Sequence, residues 1–572
     1  MRRAGFLLLA ILVLETWVAR AASPVPAAGE SGMVVTAHHL ATRVGVDVLR
    51  RGGTAVDAAV AVGYALAVVY PAAGNLGGGG FATLVLADGR KVFVDFRETA
   101  PLAATPDMYL DKDGTVVEGL SLRGHLAVAV PGSVAGLEHI REKYGTMKRE
   151  PLIGRAVALA EGGFVLGRAD AEFFARATQD FRRDRPSAAI FLRKGAEPYA
   201  AGERLVQKDL AQTLREISRS GRDGFYKGRV AAAIVASSKA GGGILTQSDL
   251  EAYSVREFAP VECDYRGLRV VSAPPPSSGG TIVCEMLNVL EGYPLKELGF
   301  RSAEAVHYQI ETMRHAYFDR NMYLGDPEFV KNPLARLLDK AYAAKMRAAI
   351  DAHKATASRD IGPGTPPHEG SNTTHYSIAD RFGNAVAVTY TLNEWFGARV
   401  TAAGTGVLLN NEMDDFTVKA GVPNLYGLVQ GQQNAIAPGK RPLSSMSPTI
   451  VLRDGKPWLL LGSPGGSRII TAVLHTILNV VDYGMSVQEA VDAPRFHQQW
   501  LPESTYLERF AVSPDTRRLL ESKGHAFSGP PTGTHVTAVI VGAPSLDGKP
   551  IGNNRFYGAN DPRRNTGLAL GY

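Results

Sequence analysis

The chain has 572 residues, 45% of them hydrophobic and 21% charged, a composition that supports a folded body with an ample core and excludes disorder over most of its length. Its 62 basic and 56 acidic side chains leave a net charge of +6, with no run of like charges long enough to act as a nucleic-acid-binding arm. No CxxC, HExxH or EF-hand pattern occurs, so neither a metal nor another cofactor is expected.

The N-terminus reads as a targeting segment. Arg2-Arg3 give a basic start, residues 6–14 an apolar stretch and Ala19-Arg20-Ala21 a small-residue cleavage pattern, so 1–21 are expected to be a signal peptide for export to the periplasm or beyond. The alternative is an uncleaved anchor, because Glu15 interrupts the apolar run while Trp17-Val18 extend it; no other stretch is long and apolar enough to span a bilayer. Thr54 and Asp57 then form a capping box ahead of an Ala/Val-rich helix running to about Tyr70. The glycines of 74–80 lead into a hairpin that turns at Asp88-Gly89. Gly77, Gly79 and Ala82 fit the loosest dinucleotide-binding pattern, but a hairpin follows where that site needs a helix, so these glycines are read as places of close backbone packing.

Residues 135–240 and 300–355 are expected to be mainly helical, with Pro274-Pro275-Pro276 and the linker 360–370 as the clearest punctuation. Cys263 falls in a strand and Cys284 in an apolar helix after SSGG. Spacing does not show that they meet, and both are expected as buried free thiols. Further on, a strand at 457–461 runs through Gly462-Ser463-Pro464-Gly465-Gly466-Ser467-Arg468 into a helix at 468–481, and Ser486 with Glu489 caps a short helix ending near Ala493.

The most informative stretch is Asn372-Thr373-Thr374-His375-Tyr376-Ser377, where a Pro/Gly-rich linker stops and a strand begins. Residues 374–379 alternate as a strand and 385–391 read as the antiparallel partner, which returns Thr391 to the start of the first strand. If the chain is cut before Thr373, the freed α-amine, with a reference pKa of roughly 7.7 to 8.0, can serve as base for the threonine's own hydroxyl. Taken alone, the Thr-Thr pair is also an ordinary strand opening, and Asn372-Thr373-Thr374 is also a glycosylation sequon.

The company of this segment decides between these readings. TTHYSIADRFGNAVAVTYTLN, LLNNEMDDF, VPNLYGLV, KRPLSSMSPTIV, GSPGGSRIIT and APRFHQQWLP follow one another, after GGTAVDAAVA, GNLGGGGFATLV, DFRETAP, VPGSVAGL, PPPSSGG and YLGDPEFV. In these motifs and their order the chain resembles the γ-glutamyltranspeptidase (glutathione hydrolase) family over nearly its whole length beyond the leader. The resemblance implies an α/β protein, the αββα sandwich of N-terminal-nucleophile hydrolases. It also implies self-cleavage between Asn372 and Thr373 into a large subunit, 22–372, and a small subunit, 373–572, that remain together as a heterodimer. The implied reaction is γ-glutamyl transfer from glutathione or related small donors, through an ester on Thr373, to water, amino acids or dipeptides. No nucleic acid, cofactor or membrane span belongs to that picture.

Matched residue by residue, the resemblance gives Thr373 as nucleophile and Thr391 as the hydroxyl that orients it. Gly465 and Gly466 fall in the oxyanion hole, where glycine N–H groups near a helix start can face a developing negative charge. Arg97 matches the clamp for the glutamyl carboxylate, aided by Ser444 and Ser445. Asn393, Glu412 and Asp415 match the groups at its ammonium, and Tyr426 a lid. Asn372 stands where several relatives carry another amide residue, and Glu412 where some bacterial members have an amide. The family's cephalosporin acylases, which take glutaryl groups lacking the α-amine, are the alternative; an exported, uncleaved binding protein is a remote one.

Overall fold

The computed structural model describes residues 23–362, 373–529 and 533–572. The expected signal peptide, most of the 360–370 linker and Asn372 lie outside the described residues.

Two seven-stranded sheets form the centre. One runs in the order Leu568–Gly571, Gly32–Thr36, Thr374–Asp380, Ala385–Thr391, Gly79–Val85, Lys91–Phe96 and Arg256–Phe258, and every pair in it is antiparallel. The other runs Ala27–Gly29, Phe556–Asn560, Thr537–Val541, Lys456–Gly462, Thr449–Arg453, Leu268–Ser272 and Val261–Tyr265, again antiparallel throughout. The sheets face each other through a thin apolar layer that includes Val35, Ala379, Ala387, Ile450, Leu460 and Val539. Helices cover both outer faces. The Ala/Val-rich helix Ala55–Val69, started by the Thr54/Asp57 capping box, packs on the first sheet, and Gly279–Leu290, Ala303–Tyr323 and Ile469–Val481 pack on the second. This is the αββα arrangement, and it explains why the central strands are buried throughout: both faces of each sheet are covered.

Period-2 alternation assigns each side chain to a layer. In Thr374–Asp380, Tyr376 and Ile378 enter the helix-side core, whereas Ser377 and Ala379 face the second sheet. In Ala385–Thr391, Val386, Val388 and Tyr390 face the helices, and Ala385 and Ala387 the second sheet. Strands from either side of residue 373 interleave in both sheets. Gly32–Thr36 lies between Leu568–Gly571 and Thr374–Asp380, Gly79–Val85 lies beside Ala385–Thr391, and Leu268–Ser272 lies beside Thr449–Arg453.

The expectation of free thiols is corrected. Cys263 and Cys284 are joined in a disulfide, with Cα atoms 5.8 Å apart. Val261, Cys263 and Tyr265 point inward from their strand, and Gly279–Leu290 crosses that face and carries Cys284 onto it. The meeting is made by a strand–helix crossing, which a separation of 21 residues along the chain does not reveal. No helix among the described residues is long and apolar enough to cross a membrane. Thiol titration of the denatured, unreduced protein should find no free sulfhydryl. Replacing both cysteines by serine should lower stability by about 2–4 kcal/mol, read as a lower urea midpoint; an unchanged midpoint would mean that the bond does not constrain the unfolded chain.

Candidate active site

The hairpin register builds the centre of the site. Thr374 opposes Tyr390 and His375 opposes Thr389, so the next rung outward sets Thr373 against Thr391. Their hydroxyl oxygens are 3.3 Å apart, and both side chains are buried. Thr391 is held from behind. Its carbonyl accepts from Asn75 Nδ2 at 2.8 Å, and Asn75 Oδ1 in turn accepts from Gly78 N at 3.0 Å. A Cβ on Gly78 would stand 1.9 Å from the Thr391 carbonyl oxygen, which is why this strand start takes glycine.

His375, two residues into the strand, is not the base for this pair. Its ring nitrogens are engaged by Thr389 and Ser377, at 2.7 and 3.0 Å. Burial, helped by nearby His535, holds its pKa down to about 3, so it stays a neutral imidazole between the sheets.

Thr373 and Thr391 open into a cavity shared with Arg97, Arg320, Asn393, Glu412, Asp415, Tyr426, Ser444, Ser445 and Gly466. Of the sequence-predicted residues that are described, only Gly465 is not on its wall, and it is the next residue back along the chain from Gly466; Asn372 lies outside the described residues. About 20 Å³ of free room remains, enough for one water.

Arg97, just past the strand Lys91–Phe96, is fully buried. Its backbone N–H donates to Asp95 at 2.9 Å, and its guanidinium donates to Glu412 and, at 2.5 Å, to Asp415. Glu98 lies 3.6 Å away. Burial alone would lower the Arg97 pKa; Glu412, Asp415 and Glu98 outweigh it and hold the pKa above the ordinary range. The carboxylates carry the converse strain. Burial pushes Glu98 up to about 7 despite Arg97, and burial with the neighbouring acids pushes Glu412 well above the usual carboxylate range. Both oxygens of Glu98 and Oε2 of Glu412 are buried without a hydrogen bond. The residues expected at opposite ends of a zwitterion are therefore bonded to each other here, and the acid cluster has hydrogen-bonding capacity to spare.

Arg320 was not singled out in the sequence. It sits on the helix Ala303–Tyr323, fully buried, and donates to Ser445 Oγ at 3.0 Å, Ser278 Oγ at 2.9 Å and Gln430 at 3.2 Å. Burial lowers its pKa to about 10, which leaves it a cation at neutral pH. The run Asp319-Arg320-Asn321, three polar residues inside a buried helix just before the YLGDPEFV motif, was the available signal.

Gly465 and Gly466 have φ of +137° and +57° and begin the turn Gly466–Arg468 that feeds the helix Ile469–Val481. Side chains are strained at such φ values. A Cβ on Gly466 would also stand 2.2 Å from the Tyr426 ring. Tyr426 is buried on the cavity wall. Its hydroxyl donates to Asn393 Oδ1 at 2.5 Å, and Asn393 is held at φ +73°, with its amide donating to the Asn411 carbonyl. The segment around Tyr426 is pinned at two further points. Asp414, which also accepts from Ser121, takes the N–H of Leu425 at 2.9 Å, and Gln499, bonded to His497, donates to the carbonyls of Tyr426 and Gly427.

Comparison with known proteins agrees with this geometry. The family model described as Gamma-glutamyltranspeptidase matches residues 41–571. A glutathione hydrolase proenzyme of Pseudomonas sp. (strain A14) is 69% identical over 553 residues, covering 96% of each chain. Among solved structures, the γ-glutamyltranspeptidase of Helicobacter pylori is 48% identical with a TM-score of 0.56, over 59% of this chain and 96% of that one. A cephalosporin acylase from Bacillus halodurans is 25% identical with a TM-score of 0.81, over 98% of this chain and 99% of that one. The chain belongs to the γ-glutamyltranspeptidase family.

Proposed function

We propose that the protein is a γ-glutamyl acyltransferase and glutathione hydrolase that matures by cleavage between Asn372 and Thr373. The observation that carries this reading is the pair of buried threonine hydroxyls, 3.3 Å apart, in a cavity that also presents two guanidiniums and two acids. Acyl transfer needs a nucleophile, a base, an oxyanion site and a pocket for the acyl group. Thr373 Oγ1 is the nucleophile, oriented by Thr391. Its base is its own α-amine, exposed by the cut, since the nearest imidazole is neutral and engaged. The hydroxyl adds to the γ-amide carbonyl, and the oxyanion is held by the N–H groups of Gly465 and Gly466 at the helix start. The C–N bond breaks as the leaving amine takes the proton, and a γ-glutamyl ester remains on Thr373. Water or an incoming amine then releases it.

A glutamyl head brings one carboxylate and one ammonium. Entering between Arg97 and its acids, it replaces the internal ion pairs of Arg97 with Glu412 and Asp415 by substrate contacts of the same kind: carboxylate to Arg97, Ser444 and Ser445, ammonium to Glu412, Asp415 and Asn393. Arg320 adds the positive charge behind Ser445. Retention of Glu412 and Asp415 favours this substrate over the glutaryl group of an acylase, which offers no ammonium. Tyr426 and its neighbours form a lid, because the closed cavity has no space for a substrate. The processed chains, 22–372 and 373–572, stay together as a heterodimer, and residues 1–21 direct export; the disulfide is consistent with an oxidising compartment.

Thr373→Ala should accumulate as a full-length, inactive chain; normal processing, seen by intact mass and N-terminal sequencing, would sink the assignment. Arg97→Lys keeps the charge and loses the two-pronged contact, and should cut kcat/KM for a γ-glutamyl anilide by about 10- to 100-fold. The raised acids give a pH signature. Below about 7, Glu98 takes up a proton, which leaves less negative charge around the site of the ammonium, so donor KM should rise as pH falls through that value. Glu98→Gln should flatten this rise, and a KM constant across the window would contradict the ammonium assignment.

A further inference from the structure

The groups assigned to the donor carboxylate come from distant parts of the chain: Arg97 follows the strand Lys91–Phe96, and Ser444-Ser445 precede the strand Thr449–Arg453. They are joined to a closed ring of four charged residues that takes no part in acyl transfer itself. Arg441 donates from Nη1 to Asp95 Oδ1 at 2.5 Å, and its backbone N–H donates to Asp326 Oδ2 at 2.8 Å. Arg256 closes the ring, donating from Nε to Asp95 Oδ2 at 3.1 Å and from Nη1 to Asp326 Oδ1 at 3.0 Å. Asp95, Asp326 and Arg441 are buried. The motifs DFRETAP, YLGDPEFV and KRPLSSMSPTIV each put one residue into this ring.

Three contacts tie the ring to Arg97. The Arg97 N–H donates at 2.9 Å to Asp95 Oδ1, the oxygen that also takes Arg441. The Arg97 carbonyl accepts from the Tyr253 hydroxyl at 2.9 Å, and the Arg441 guanidinium lies 5.5 Å from the centre of the Tyr253 ring. Arg97 Nε donates at 3.3 Å to the carbonyl of Pro442, the residue after Arg441. Arg441 therefore reaches the Arg97 backbone through Asp95 and Tyr253 and its side chain through Pro442, and Ser444 stands three residues further along the chain. A grip on a planar carboxylate from two sides tolerates little error in the placement of its donors.

From these observations we infer that Arg441 is a positioning residue for the donor's α-carboxylate: it sets the gap between Arg97 and the Ser444-Ser445 pair, and so controls how strongly donors with a free α-acid are selected. Arg441 touches no substrate and acts through its neighbours. The link spans residue 373, since Asp95, Tyr253, Arg256 and Asp326 precede it and Arg441 follows it. The inference rests on the γ-glutamyl transfer reading and on its use of Arg97.

The test compares kcat/KM for a γ-glutamyl anilide with that for the same donor carrying an α-carboxamide. Wild type should favour the free acid by at least about a hundredfold. Arg441→Lys keeps the charge but loses the planar fork, and should lower this preference by about tenfold, chiefly through a higher KM for the free acid. Tyr253→Phe removes only the hydroxyl on the Arg97 carbonyl, leaves the four-membered ring of charges in place, and should lower the preference by about threefold. Because both donors are measured on one preparation, loss of folded enzyme cancels from the ratio. A preference undiminished in either variant that folds, including one in which kcat falls equally for both donors, would overturn the positioning role and leave acyl transfer standing. Wild type that turns over neither donor would remove the acyl-transfer reading and this role with it.

Discussion

The antiparallel pairing of Thr374–Asp380 with Ala385–Thr391 is the constraint on which the site depends. A strand pair in fixed register leaves no freedom about which residues oppose, and a slip of one residue would turn every side chain to the other face. Here the register is enforced from both sides, since the tyrosines and valines of one face fill the helix-side core and the alanines of the other fill the thin layer between sheets. Thr373 and Thr391 sit one rung past the last apolar rung, so the packing of the whole sandwich sets the distance between two hydroxyls.

Around that rung, the molecule keeps charge out of water. Arg97, Glu98, Glu412 and Arg320 are all essentially fully buried. Removing one partner from such a cluster costs about 3–5 kcal/mol, because the other is left unpaired. An arrangement of this kind stabilises poorly for its expense, but it is prepaid in desolvation: a zwitterion that replaces internal partners finds dipoles and charges already oriented. The second sheet and its helices supply most of the rest. Ser444 and Ser445 lie just before Thr449–Arg453, and Arg320 reaches them from the helix outside.

Much of this was legible in the chain itself. The capping boxes at Thr54 and Ser486, the hairpin turning at Asp88-Gly89 and the strand pair starting at Thr374 rest on local signals, and the structure has them where those signals lie. The gathering of Arg97, Glu412, Asp415, Ser444 and Thr373 at one cavity was anticipated only through the motif order. What sequence could not supply is contact between distant elements. The Cys263–Cys284 bond comes from a helix crossing a strand, Arg97 closes on Glu412 across more than three hundred residues, and Arg320 is hidden in a helix whose polar residues are buried on nearly every side. Periodicity carries no information about such meetings, because it describes faces and not what they face.

The interleaving of strands ties the two portions of the chain to each other. Gly32–Thr36 is hydrogen-bonded on both edges to strands that lie beyond residue 373, so neither portion of the chain owns a complete sheet. Were the chain cut before Thr373, the pieces on either side would each lack, within their own length, the neighbours that hold their strands. A chain opened there would no longer carry in a single covalent thread the information that brings the two portions together, and once unravelled it would face a search between two molecules that the intact chain does not have to make.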